Sequence, residues 1–552
     1  MRGRSSTSRD DIALIEATLD AIDAETLRLL VRELARRTST TDRAWLLDEL
    51  LRRVRRDVPG WQLPVADPRL LADVAECMRR TARYDGDPCE VDDLLRRAGR
   101  ALVSGDPAAA RSTYDQLLPA LLDGEIGLHY DELLEEVLEV DLFDAALCWL
   151  AATYLTTPIS ERPTALLRVL DHAWRMTAVT TVIEGMERVS GQPLPDLDEF
   201  VPSWIAALDR ATPRNGAWNL DVAAMKREAI LVQQGVDGLG RQAKRSKSPD
   251  DYRAWIEALV AQERWDDAYT AVLGAARQLK KPHQAAFFDA AATLARRRGG
   301  DDLAHLEAAW RALPTVARFL RVVDRGAPNG ADLRKRALEA SKGVRASPRL
   351  DAVIAIATAN VEHLVSLVST ATALGWSGDH PSWIAFPALV RIVGGVAPEG
   401  TARHEVCVAL GASDDGFMEP LDEMHYGLFD PFDNAGPRSL APREPISIAT
   451  LIERAQLEVD ADAAPTIYAA LRKAAERRLG GILKNQRRRH YGSVATLVAC
   501  CVELDGRADA WLARVRDQGR RYPAFRSALD SALAGKHLTT RTGVGAGYAD
   551  GL

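Results

Sequence analysis

The sequence predicts an all-α protein, an irregular α-solenoid of stacked antiparallel helix pairs, on three observations. Ala, Leu, Arg, Glu and Asp dominate the 552 residues and aromatic residues make up only 6%, a composition weighted towards strong helix formers. Apolar residues recur at three- and four-residue steps through almost the whole chain, whereas strand-like alternation of period two is rare. Runs of this kind, each about 12 to 18 residues long, are separated by short Gly, Asp or Pro breaks that end one helix and start the next.

Ile12, Ile15, Leu19 and Ile22 fall on one helical face, and Leu27, Leu30, Val31 and Leu34 do so after an interruption near Asp23. This is the amphipathic helix period. A second helix follows through Trp45, Leu46, Leu50 and Val54, and the Pro/Gly-rich stretch Val58–Pro68 closes an N-terminal unit, residues 1–60. From Leu70 the pattern repeats. In Asp92–Leu121, Gly105 and Asp106 break the chain before a helix carrying Ala110, Tyr114 and Leu117; in Asp251–Leu279, Ala268, Val272 and Ala275 take the corresponding places. Small residues there let two helices cross closely.

The expected organisation continues with helical-repeat units at 61–245 and 246–410, an irregular loop at 411–445, a C-terminal helical unit at 446–538 and a flexible tail at 539–552. Linkers are expected at Arg241–Pro249 and Gly326–Gly330. The most apolar stretch, Val353–Leu374, contains Asn360, Glu362 and His363. It therefore fails the requirement for about 20 uninterrupted apolar residues in a membrane span and reads as one buried helix.

Length and composition fit roughly three to four globular units, with 47% apolar and 27% charged residues. A net charge of −7 and a pI near 5.9 give the whole molecule no pull towards nucleic acid or acidic lipid, so any such binding needs a local patch. Cys77, Cys89, Cys148, Cys407, Cys500 and Cys501 are few for this length and read as reduced thiols in a cytoplasmic compartment. Ile12–Leu19 is too short and interrupted for a secretory core.

The chemical motifs are incomplete. Gly535-Lys536-His537 lacks the first glycine and the hydroxyl of a phosphate loop. His404-Glu405 is followed by Val408 where a zinc-protease helix needs its second histidine. Gly375-Trp376-Ser377-Gly378-Asp379 lacks the last glycine of a nucleophile elbow, and no strand precedes it. Gly238-Leu239-Gly240-Arg241-Gln242-Ala243 fits a loose dinucleotide fingerprint, with Ala229–Val232 as a possible short strand, but no second strand supports that fold. The acidic run from Asp131 to Asp141, interleaved with leucine and valine, reads as a solvated helix face. Basic clusters lie at Lys244/Arg245/Lys247, Arg296–Arg298, Arg334–Arg336 and Gln486–His490, and read first as surface. His404, Cys407, Asp414, Asp415, Asp422, Glu423 and His425 form the densest set of possible ligands, at spacings that match no metal motif. No metal or cofactor is expected.

The segments Asp92–Leu121 and Asp251–Leu279 resemble tetratricopeptide-type helix pairs, with Ile256 where a small residue is usual. Four further stretches resemble the helical region of bacterial proteins that often carry a SWIM-type zinc finger, and their finger-less relatives: Leu102–Asp123, His305–Val323, Ala371–Val390 and His490–Leu529. The resemblance implies a helical scaffold and no defined activity. The chain has no Cys-x-Cys and no Cys-x-His, so the finger's zinc is not implied.

The expected function is a non-catalytic scaffold binding an unknown protein or peptide, with no membrane partner. A nucleic-acid-associated factor using local basic patches is the alternative, and an enzyme with an unrecognised site between helices is the third reading. The segment with the strongest resemblance supplies the candidate binding residues Trp376, Asp379 and His380. Gly375, Gly378 and Pro381 make a corner there, in which Trp376 packs and Asp379 or His380 caps the next helix, or in which Trp376 anchors a partner.

Overall fold

A computed structural model of the chain describes residues 23–58, 67–81, 86–128, 134–211, 221–325, 329–376, 380–411, 437–457, 459–460 and 462–535. Among these residues every regular element is helical and no strand is present, so the protein is all-α. The expected helix over 12–22 and the expected tail at 539–552 lie outside the described residues. The chain divides into two compact units, Met1–Arg241 and Gln242–Leu552. Residues expected as units 1–60 and 61–245 fall almost wholly in the first, and those expected as 246–410 and 446–538 in the second.

In the first unit, Asp23 marks the break seen in the sequence pattern. Its carboxylate accepts from the amides of Glu25 and Thr26, at 2.9 Å each, and starts helix Ala24–Arg37. Such a cap satisfies amides that have no partner within the helix. Helix Thr40–Asp57 follows, capped by Ser39. Helices Pro88–Ser104 and Pro107–Leu122 form the expected pair. Gly105 turns between them at φ 95°, Asp106 caps the second, and Ala110, Tyr114 and Leu117 are buried. The centre of the unit is helix Leu142–Thr156, with Ala145 to Tyr154 all buried. Its sequence LFDAALCWLAATYLT is apolar nearly all round, as a fully surrounded helix requires. Helices Pro107–Leu122, Arg162–Ala173 and Val182–Ser190 pack on it. A Cβ at Gly185 would stand 2.5 Å from Leu147 Cδ2, so any larger residue there requires that leucine to shift.

Helix Val182–Ser190 has no side-chain cap of its own at Thr181. Glu228, on the distant helix Val222–Ser246, supplies one: its carboxylate accepts from the amides of Val182 at 2.7 Å and Glu184 at 2.8 Å. Burial pushes this carboxyl up to about 7, with the nearby Glu184 adding repulsion, against the opposing pull of the amides. The same long helix contains the fragment 238–243 and Ala229–Val232. Both are helical, with a local kink at Gly235, so neither the strand nor the phosphate turn of a dinucleotide site exists there. The helix also runs on to Ser246, through most of the linker expected at Arg241–Pro249. Arg241 to Arg245 suit this, because Arg, Lys, Gln and Ala are good helix formers.

The second unit begins with the other expected pair, Pro249–Ala261 and Trp265–Gln278, in which Ile256, Ala268, Val272 and Ala275 are fully buried. Helices Lys281–Arg297, Leu303–Ala312 and Val316–Asp324 then pack each on its predecessor. Val353–Leu374 is not one helix but two, Pro348–Ala357 and Val361–Ser369. Ala359 adopts φ 57° and Asn360 accepts from the amide of His363 at 3.0 Å. Asn is a strong N-cap and offers the backbone an alternative to continuing the helix, which hydropathy alone does not register. Beyond this point packing is no longer only sequential. Helix Val361–Ser369 lies on Ala464–Lys484, Ala402–Gly411 on Tyr491–Leu504, and Tyr491–Leu504 on Pro523–Leu533. One core joins Ala292 to Ala532.

Inside this core Arg318, 1% exposed, is paired with Asp289 at 2.8 Å, and Arg321 stands 3.8 Å from the other carboxylate oxygen. The pair ties helix Lys281–Arg297 to Val316–Asp324. Removing one partner from such a pair strands the other in a low-dielectric interior, whereas replacing both with apolar residues often costs little. Asp289→Ala is expected to destabilise the second unit by about 3–5 kcal/mol, while the double variant Asp289→Leu/Arg318→Met stays close to wild type; urea denaturation distinguishes them.

A carboxyl whose folded pKa is raised binds its proton more tightly folded than unfolded. The stability it contributes is therefore fullest below the ordinary value of 4.5 and falls as pH rises towards 7. Glu228→Gln is expected to lose this component, so that the difference in melting temperature between variant and wild type changes across that window and is flat outside it.

Candidate functional site

The corner between helices Val361–Ser369 and Ser382–Gly394 is where the sequence placed Trp376, Asp379 and His380. Asp379, with Ser377 and Gly378, lies outside the described residues. Gly375 turns the chain at φ 80° and Trp376 is folded inwards, 5% exposed. Its indole N–H donates to the carbonyl of Thr372 at 2.7 Å. One face stacks on the His380 ring, 6.0 Å between centroids and 8° from parallel. The Arg478 guanidinium, from helix Ala464–Lys484, lies 5.6 Å from the ring centroid, and Phe386 packs at 5.9 Å. That helix approaches so closely that a Cβ at Gly481 would meet the Ala373 carbonyl oxygen at 2.7 Å.

His380 is half-buried, and its two nitrogens have different tasks. Nδ1 accepts from the amide of Ser382, the first residue of the next helix, at 3.2 Å. Nε2 lies 3.1 Å from Thr372 Oγ1, whose own proton goes to the Leu374 carbonyl at 2.6 Å. With that proton committed, Nε2 is the donor, which fixes the neutral Nε2–H tautomer. Burial lowers the histidine's pKa below 6.5 and the Arg478 charge lowers it further, in agreement with an imidazole that must keep Nδ1 free to accept. The corner is thus a closed hydrogen-bonded and aromatic assembly that starts helix Ser382–Gly394.

Among the described residues, two of the small cavities are lined in part by charged and polar side chains. One in the first unit, about 40 Å³, is lined by Arg52, Tyr114, Asp144 and Cys148 among others, room for about two or three waters. Arg52 and Asp144 are ion-paired at 2.7 Å, and Tyr114 donates to the Leu95 carbonyl at 3.2 Å. Burial pushes the Cys148 thiol up to about 11, so at neutral pH it is protonated and a poor nucleophile. Cys407 is pushed up to about 11 and Cys501 to about 12, again by burial. The second cavity, about 20 Å³, lies between Asp289, Asp302, Arg321, Asp324 and Arg443.

Of the ligand set expected near the long loop, His404 and Cys407 sit on helix Ala402–Gly411, whereas Asp414, Asp415, Asp422, Glu423 and His425 lie outside the described residues. Among the described residues no group of three or more His, Cys, Asp or Glu converges as metal ligands, and no helix is long and apolar enough to cross a membrane. In the acidic run, Glu135 and Glu136 are exposed on the short helix Leu134–Val137, while Glu139 faces Arg96 at 3.5 Å and Asp141 caps the next helix; Asp131 and Glu132 lie outside the described residues, so among the described residues the run does not form one helix face. Sequence periodicity gave no sign that Leu27, Leu30 and Leu34 stay exposed, since an amphipathic stripe ordinarily marks a buried face. No protein-family model, no curated protein and no solved structure matches the chain.

His380→Ala is expected to lose about 1 kcal/mol through the uncapped amide, and Trp376→Ala about 3–5 kcal/mol through the lost aromatic packing. The lowered histidine pKa means that the stabilisation is present above 6.5 and is lost as pH falls below it. Melting curves of wild type and His380→Ala should therefore converge on acidification.

Proposed function

We propose that this chain is a non-catalytic interaction scaffold of the cytoplasm, an irregular tetratricopeptide-like array of stacked antiparallel helix pairs that docks another protein through an apolar helix face. Kinship with the helical region of SWIM-finger-associated bacterial proteins belongs to the same reading. The observation that carries it is helix Ala24–Arg37. Leu27, Leu30 and Leu34 follow one another at three- and four-residue steps, and they are 41%, 48% and 53% exposed. Burying a leucine fully stabilises by about 1.5–3 kcal/mol, so three half-exposed leucines in register leave binding energy available.

The spacing matches recognition by a helix laid into an apolar groove, in which residues at i, i+3 and i+7 serve as anchors. Leu47 and Leu50, on the helix that follows, are also exposed. Arg43 holds the two helices together by donating to the Ala35 carbonyl at 2.8 Å and the Thr38 carbonyl at 3.4 Å. The partner in this reading is a protein with an apolar docking groove. The reduced state of all six cysteines suits the reducing interior assigned to the scaffold.

The double variant Leu30→Glu/Leu34→Glu separates binding from folding. Exposed positions of this kind change stability by no more than about 0.5 kcal/mol, so melting should be unchanged, while crosslinked capture of the partner from a native-host lysate should be lost. Identical capture by both proteins, or turnover of a metabolite by the purified chain in an unbiased screen, would sink the scaffold reading.

A further inference from the structure

The chain as a whole is acidic, with a net charge of −7, yet residues 471–530 carry fourteen Lys and Arg against six Asp and Glu. Six of these cations lie on or beside two short turns. Helix Ala464–Lys484 runs into the 3-10 turn Arg488–His490; a second 3-10 turn, Gly519–Arg521, precedes helix Pro523–Leu533. The turns are brought together by aromatic packing. Tyr491, directly after the first turn, meets Tyr522, directly after the second, at 6.4 Å between ring centroids, and meets Phe525 at 6.0 Å. The two arginine-bearing turns therefore flank one ring contact.

Lys484, Arg487, Arg488, Arg489, Arg520 and Arg521 are all exposed. A common internal use for cations at a helix C-terminus is to bind its last carbonyls, but here those carbonyls are already occupied. Asn485 donates to Gly481 O from its side chain at 2.7 Å and from its amide at 3.2 Å, the Gln486 amide donates to Leu483 O at 3.1 Å, and the Arg487 amide to Ile482 O at 3.1 Å. Three of the six acids in this stretch are engaged elsewhere: Glu476 with Gln518 at 3.2 Å, Asp505 with Arg472 at 2.5 Å and Asp530 with Arg516 at 3.7 Å. Among the described residues none of the six cations forms an ion pair.

We propose that this surface, Lys484 with Arg487–Arg489 and Arg520–Arg521, binds the phosphate backbone of a nucleic acid without reading its sequence. Five of the six cations are arginines, whose planar fork of donors takes phosphate oxygens in pairs. They stand on turns rather than along a helix that would enter a groove, so they contact backbone and not base edges. Half-buried Tyr522 between the turns is placed to stack against an unpaired base. A lipid surface fits less well, because among the described residues no large apolar side chain is exposed between 471 and 535 to enter the bilayer. This inference is independent of the docking face on helix Ala24–Arg37.

Fluorescence anisotropy with the full chain and labelled 30-nucleotide single- and double-stranded DNA and RNA tests it. Binding is expected at 50 mM salt and is expected to weaken by about two orders of magnitude at 200 mM, a slope of roughly 3 to 5 in log–log form for up to six neutralised phosphates. Arg487→Gln/Arg488→Gln/Arg489→Gln and, separately, Arg520→Gln/Arg521→Gln should each weaken binding at least tenfold and reduce that slope by about 2. The control Arg334→Gln/Lys335→Gln, on another basic cluster, should leave binding unchanged. Circular dichroism confirms that every variant is folded. The proposal is overturned by absence of binding to all four nucleic acids at low salt, by binding insensitive to both turn variants, or by equal affinity for polyglutamate or for phosphatidylserine vesicles.

Discussion

At two helix starts of this chain a carboxylate from far away in the sequence accepts backbone amides that have no partner within the helix. Glu228 takes the amides of Val182 and Glu184. Glu503 takes those of Ala402 and Arg403 at 2.8 and 2.9 Å. In the same way Asp92 takes the amides of Glu139 and Val140 at 2.9 and 2.8 Å, in the turn that leads to helix Leu142–Thr156, which Asp141 caps locally. Helices shorter than about 12–15 residues are marginal alone in water, so these long-range caps do two things at once. They satisfy amides that would otherwise be orphaned on burial, and they fix where one helix begins relative to the flank of another.

Close packing completes what the caps begin. Gly185 lets helix Val182–Ser190 settle on Leu147, and Gly481 lets helix Ala464–Lys484 reach the Ala373 carbonyl. In the second case the close approach also delivers Arg478 to the face of Trp376, and that charge helps hold His380 neutral. Local order at the corner is thus a consequence of a crossing between helices about a hundred residues apart in sequence. The buried Asp289–Arg318 pair has a similar logic, since each charge tolerates burial only because the other is present.

The two surfaces assigned to binding differ in chemistry. The leucines of helix Ala24–Arg37, in the first unit, offer apolar area, and an apolar contact is strengthened rather than weakened by salts that are excluded from protein surfaces. The arginine turns of the second unit offer fixed positive charge in a molecule that is negative overall, and a phosphate contact weakens as salt rises. The opposite response to ionic strength follows directly from the residue types.

The helical class was legible in the sequence, because the three-four period and the break at Gly105/Asp106 are local signals that local sterics obey. The Asp23 break and the crossings at Ala110 and Ala268 were legible for the same reason. The split of Val353–Leu374 is not visible in hydropathy, which averages over Asn360, whereas a left-handed turn at Ala359 followed by the Asn360 cap ends one helix and starts the next. At the candidate corner the sequence marked the turn and its residues. Only the tertiary structure decided that Trp376 faces inwards, that His380 accepts from Ser382, and that Leu27, Leu30 and Leu34 face outwards. Periodicity states which residues share a face; what covers that face is set by elements distant in the chain, whose approach no local pattern encodes.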